Sequence, residues 1–108
     1  MQLLVATMIA ATLIVQGPEA DMDAFIRFMW ASERCPGVNI NYEKTLEQVI
    51  DLGGVLNWDS DRINYKIEGD LRVAAFQYQQ DSTAFCDSVR DQFRAYDPAY
   101  LRQVGVVD

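Results

Sequence analysis

The apolar positions of this chain recur at three- and four-residue spacing through most of its length, the period of helices that bury one face. The clearest stretch is Ser82–Tyr96, where Phe85, Cys86, Val89, Phe93 and Tyr96 share a side. Asp81 or Ser82 can cap its start. Asp21–Arg34 places Phe25, Phe28 and Met29 on one face, and Met22, Ile26 and Trp30 widen the apolar arc enough to imply contact on two sides. Asp21 or Asp23 suits its N-terminus and Arg34 its C-terminus, and Cys35-Pro36-Gly37 stops it. Asn41, with Ile40 before it, opens a second helix whose stripe is Tyr42, Leu46, Val49 and Ile50, with Gly53-Gly54 as its end. Asp59-Ser60-Asp61 offers caps for a third helix carrying Ile63, Ile67, Leu71, Ala74, Ala75 and Tyr78. Gly69 inside it costs about 1 kcal/mol against alanine unless a neighbour needs the room. Asp97-Pro98 starts a short last helix with Tyr100, Leu101 and Val104 apolar and Gly105 closing it.

The predicted fold is all-α: a small irregular bundle of four to five short helices over 21–34, 41–52, 60–80, 82–96 and 98–104, stapled by one disulfide. The predicted core is Phe25, Phe28, Met29, Leu46, Val49, Ile50, Ile67, Leu71, Ala74, Phe85, Val89 and Phe93. Residues 21–108 form a single domain, with no repeat and no linker long enough to divide it.

Residues 3–15, LLVATMIAATLIV, are an uncharged run too short to span a bilayer comfortably, which takes about 20 apolar residues. The run fits the apolar core of a secretory signal. No Lys or Arg precedes it, and Pro18 falls badly for cleavage after either Gly17 or Ala20. Residues 1–20 are therefore read as a signal peptide, alternatively as an N-terminal anchor to the inner membrane, and third as a buried helix of the domain. Cys35 and Cys86 are the only cysteines, and an exported chain with an even number usually oxidises them. A bond between them closes a 51-residue separation, and such a loop contributes roughly 4 kcal/mol in the chain-entropy account. Two free thiols are the plain alternative. Redox catalysis wants a Cys-x-x-Cys pair, which this chain lacks.

Charge narrows the function. The net charge is −7 and the nine basic residues are scattered singly, so no basic patch exists to neutralise phosphates or lipid headgroups. Nucleic acid is not an expected partner, and membrane contact is expected only through residues 3–15 if they are retained. There is no histidine, which removes the commonest general base and metal ligand near neutral pH. Asp59 and Asp61 begin a calcium-loop pattern, but Ile63 occupies the third ligand position and Asn64 the place of the glycine. Capping is the better reading. Sixteen acids supply many carboxylate pairs, none in a context that raises a pKa. Ser60, Ser82 and Ser88 have no G-x-S-x-G setting. The aromatics Trp30, Trp58, Tyr65, Tyr78, Phe85 and Phe93 could line a groove for an apolar ligand or peptide, but core packing is the default in a small domain.

An apolar leader, Cys35 at the end of an early helix, Cys86 late in the chain and four or so helices together make a layout that resembles the acid-stress periplasmic chaperones HdeA and HdeB. The resemblance lies in architecture, and no functional residue is carried over from it. It implies acid-triggered exposure of apolar faces that hold client proteins. The expected function is a small periplasmic or otherwise exported helical protein that is not an enzyme. It would act as a binding or interaction module for a protein partner, without cofactor or metal, or as an accessory subunit of a membrane assembly. The acid-stress chaperone is one alternative and a carboxylate-dependent enzyme a weaker one.

Overall fold

The computed structural model describes residues 17–108, so residues 3–15 and most of the predicted leader lie outside it. Five helices follow in order: α1 Pro18–Ala31, α2 Tyr42–Val55, α3 Ser60–Gln80, α4 Ser82–Ala95 and α5 Pro98–Gln103. No strand occurs among the described residues. The chain is an all-α bundle with a Cys35–Cys86 disulfide.

The centre of the bundle is α1 rather than α4. Its sequence is apolar nearly all round, and Met22, Ala24, Phe25, Ile26, Phe28, Met29 and Ala31 are all buried. Such a helix must be covered on several sides, and α2, α3 and α4 all pack against it. It begins at Pro18, three residues before the predicted start, because proline is pre-organised for the first helical position and its missing N–H is no loss there. Asp21 and Asp23 therefore lie inside the helix and cap nothing. It ends at Ala31, three residues short of the predicted Arg34. Arg34 still serves the C-terminus, because its guanidinium donates to the Trp30 carbonyl at 3.1 Å and lies over the Trp30 ring at 4.0 Å.

The remaining caps follow the local sequence. Asn41 Oδ1 accepts from Lys44 N at 3.0 Å, Asp59 from Arg62 N at 2.8 Å, Asp81 from Ala84 N at 3.0 Å and Asp97 from Ala99 N at 3.0 Å. The acidic run at Asp59–Asp61 thus caps α3. Gly105 closes α5 at φ 87°, in the left-handed region that favours glycine.

Two readings of α2 are corrected. Gly53 and Gly54 do not end it; both are helical and α2 continues to Val55. The side chain of Ile63 lies directly on the Gly53 backbone, where a Cβ would meet Ile63 Cγ1 and Cδ1 at 2.5 Å. Glycine is there so that α3 can close on α2, and the chain reverses later, at Asn57 (φ 61°). The buried stripe is also rotated, to Thr45, Val49, Leu52 and Gly53. Ile50, placed in the core by periodicity, is 45% exposed, and Tyr42 is likewise exposed. The C-terminal segment covers what they leave. Leu101 and Val106 are buried, and Val106 accepts from Asn41 N at 2.7 Å. Of the other predicted core residues, Phe25, Phe28, Met29, Val49, Ala74, Phe85 and Val89 are buried, while Leu46, Ile67, Leu71 and Phe93 pack half-buried at its edge.

Candidate functional site

The disulfide joins the turn after α1 to the second turn of α4, with Cα atoms 5.3 Å apart. Both cysteines are buried in the same apolar core cluster as Ala31, Phe85 and Val89. Arg90 reinforces the junction by donating to the Pro36 carbonyl at 3.0 Å and pairing with Asp87. A disulfide so largely buried is shielded from exchange, and the bond acts as a staple.

The aromatics that could have lined a groove are mostly committed to the core. Trp30, Tyr78 and Phe85 form an edge-to-face trio with centroids 5.2–6.0 Å apart. Phe93 meets Phe28 edge-on at 5.2 Å, and Trp58 carries the Arg62 guanidinium at 4.1 Å.

A groove of about 770 Å³ lies at the junction of α1, α4 and α5, with Leu52 of α2 also on its wall. Its floor is the carboxylate of Asp21, which the sequence offered only as a helix cap. The Tyr96 hydroxyl donates to Asp21 Oδ1 at 2.7 Å and the Tyr100 hydroxyl to Asp21 Oδ2 at 2.8 Å. Pro98 and the Asp97 cap start α5 at once, which brings Tyr100 one turn back over Tyr96. The two rings stack at 6.2 Å with an interplanar angle of 12°. Burial, then the bond and charge of Asp21, push both phenols up, Tyr100 to about 12 and Tyr96 further. Both phenols stay protonated through neutral pH. The other carboxylates of the groove are also occupied, Asp97 by the α5 cap and Asp23 by Lys66. The arrangement is a clamp tying α1 to α4 and α5.

A second polar cluster joins α1 to α3. Lys66 Nζ hydrogen-bonds to Asp23 and lies 3.1 Å from Asp70 Oδ2. Burial pushes the Asp70 carboxyl up, more than the neighbouring ammonium pulls it down. Burial alone would lower Lys66, but its bonds to the two carboxylates outweigh it and the ammonium is held above its ordinary value. Arg27 alongside donates to Gln92 at 2.8 Å and to Ser88 at 3.2 Å. No group of three or more acidic, histidine or cysteine side chains gathers to hold a metal among the described residues.

Among the described residues two helices expose large apolar side chains: α2 at Tyr42, Ile50 and Val55, which do not share one face, and α3 along one outer face. Tyr65, Val73 and Phe76 are 77%, 55% and 61% exposed. At 3.6 residues per turn they lie on the side opposite Ile63, Ala74, Ile67 and Leu71, which face the bundle. Gly69 sits in the middle of this outer stripe, with nothing within 4 Å of where a Cβ would be. Tyr65 was among the aromatics noted in the sequence, and Val73 and Phe76 were not. Their signal was there as a second apolar arc at three- and four-residue spacing, masked by the stronger inner one. No helix among the described residues is long and apolar enough to cross a membrane. No protein family, curated protein or solved structure matches the chain.

Proposed function

We propose that this protein is a small exported, non-catalytic interaction module that docks a protein partner through the outer face of α3. The carrying observation is the solvent-facing row Tyr65–Val73–Phe76 on the longest helix of the bundle. Large apolar side chains that line up along one solvent-facing row are the usual mark of a protein contact. A non-catalytic role is supported by the groove, where every carboxylate already holds a helix end, a phenol or a lysine. The disulfide supports an oxidising compartment such as the periplasm. If residues 3–15 are retained, the module is an accessory subunit held at the inner membrane, and carbonate washing of membranes decides between the two forms.

Crosslinking in the intact envelope, comparing the native chain with Phe76→Asp, tests the docking face. The expected result is at least one crosslinked species that the variant loses while its melting temperature and disulfide stay unchanged. A variant that keeps every crosslinked species sinks the assignment. The acid-chaperone reading gains no comparable support. Protonating Asp70, whose carboxyl burial holds high, favours the folded state rather than opening it.

A further inference from the structure

From this face we infer that the partner on α3 is a second copy of the same chain, docked antiparallel about a two-fold axis passing near Gly69. The inference rests on the reading of α3 as the docking face and names the occupant. Three observations carry it.

The first is charge. The chain carries a net −7, so most of its faces repel a second copy. Over Ser60–Gln80 the charges are Asp61, Glu68 and Asp70 against Arg62, Lys66 and Arg72, a balance of zero. Two copies can bring these helices together without meeting the charge of the rest.

The second is self-complementarity. Glu68 and Arg72 are exposed and border the same edge of the stripe, and neither enters an ion pair among the described residues. In a two-fold antiparallel pairing centred near residue 70, position i lies opposite a position that sums with it to about 140. Glu68 of one copy then stands opposite Arg72 of the other, and the same contact repeats across the axis. Tyr65 and Phe76 are related in the same way, so the ring of each meets the ring of its counterpart. Those apolar positions, with Gly69 and Arg72 between them, keep the spacing of a seam.

The third is Gly69. It lies near the middle of the helix, at the place where two crossing helices come closest, and no described residue lies within 4 Å of where its Cβ would be. On the monomer it only weakens α3. At a two-fold crossing it lets the backbones approach while Tyr65 and Phe76 close over the sides. One helix face of about 30 Å buries less than a standard interface, so the dimer forms and dissociates in the micromolar range.

Analytical ultracentrifugation of the oxidised full chain across a concentration series tests this. The native chain is expected to show a monomer–dimer equilibrium. Glu68→Arg alone and Arg72→Glu alone each set like charges against each other twice and should weaken association at least about tenfold. The double swap Glu68→Arg with Arg72→Glu restores the opposed pairs and should recover it. Gly69→Ala should weaken dimerisation while raising the melting temperature of the dilute monomer, so loss of association cannot be put down to misfolding. Association through residues 3–15 would ignore all four variants and overturns the proposal. A chain that stays monomeric to about 1 mM also overturns it. If Phe76→Asp still abolishes crosslinking to a different protein in the envelope, the module reading stands and only the choice of occupant fails.

Discussion

Three helical glycines allow one substitution to be read in opposite directions. Gly69 lies inside α3 and Gly54 near the end of α2, and a Cβ at either meets nothing within 4 Å. Alanine there should stabilise by helix propensity alone, about 1 kcal/mol at Gly69 and about half that in the last turn at Gly54. For a domain of this size 1 kcal/mol moves Tm by about 4–8 °C. Gly53 is the immediate neighbour of Gly54 and gains the same propensity. Its Cβ would stand 2.5 Å from both Ile63 Cγ1 and Cδ1, and 3.6 Å from Met22 Cε. Ile63 is buried and its Cγ1 is close to its own backbone, so α3 must move away from α2. Overpacking of this kind costs about 1–3 kcal/mol. Gly53→Ala is therefore expected to be neutral to destabilising by up to about 2 kcal/mol, opposite in sign to its neighbour. Urea unfolding of the oxidised protein followed by far-UV circular dichroism measures all three. A double-mutant cycle isolates the cause. Ile63→Ala alone should cost about 2–5 kcal/mol, and in the Gly53→Ala background it should cost less, because it also removes the clash. If Gly53→Ala stabilises as much as Gly54→Ala, or if the cycle shows no coupling, the α2–α3 contact is not the one described and the argument for the late end of α2 fails with it.

The staple gives the second prediction. Cys35→Ser and Cys86→Ser should each lose about 2–5 kcal/mol, the double variant should be no worse than either, and neither thiol of the native protein should alkylate before reduction. The two polar clusters give the third, from Tyr96 and Tyr100 of the clamp and Lys66 between α1 and α3, whose values are all raised in the folded state. Between about pH 10 and the folded values the folded chain holds protons that the unfolded chain has released, so stability is complete below about pH 10 and falls as pH rises beyond it. In an alkaline absorbance titration two of the five tyrosines should ionise late, and Asp21→Asn should bring them back toward the ordinary range. A late phase unchanged in that variant would detach the tyrosines from Asp21. The core gives the fourth: Phe28→Ala should cost about 3–5 kcal/mol, while half-buried Phe93→Ala should cost about 2 kcal/mol. Equal losses from the two in thermal unfolding would contradict their different depths.

What could be read from residue order alone is what is decided within about one helical turn. Asn41, Asp59, Asp81 and Asp97 announce their helices because each cap bonds an N–H two or three residues ahead. Pro36, Gly37, Pro98 and Gly105 act through their own backbone angles. The span of α3 and the periods of α4 follow from local spacing, and the cysteine pair followed from counting. Tertiary contact decided the rest. Ile50 and Val49 are adjacent and both fit the period, and only the packing of α2 against α1 decides that Val49 is buried and Ile50 exposed. Gly53 reads as a helix stop until Ile63, ten residues on, is found pressed against it. Asp21 reads as a cap until Tyr96 and Tyr100, more than seventy residues away, place their hydroxyls on its two oxygens. α3 carries apolar side chains on both sides; periodicity marks Ile67, Leu71 and Ala74 as the inner face, as found, but does not account for the second arc. α1 and α4 cover one arc, and no helix among the described residues lies over the other, Tyr65 to Phe76.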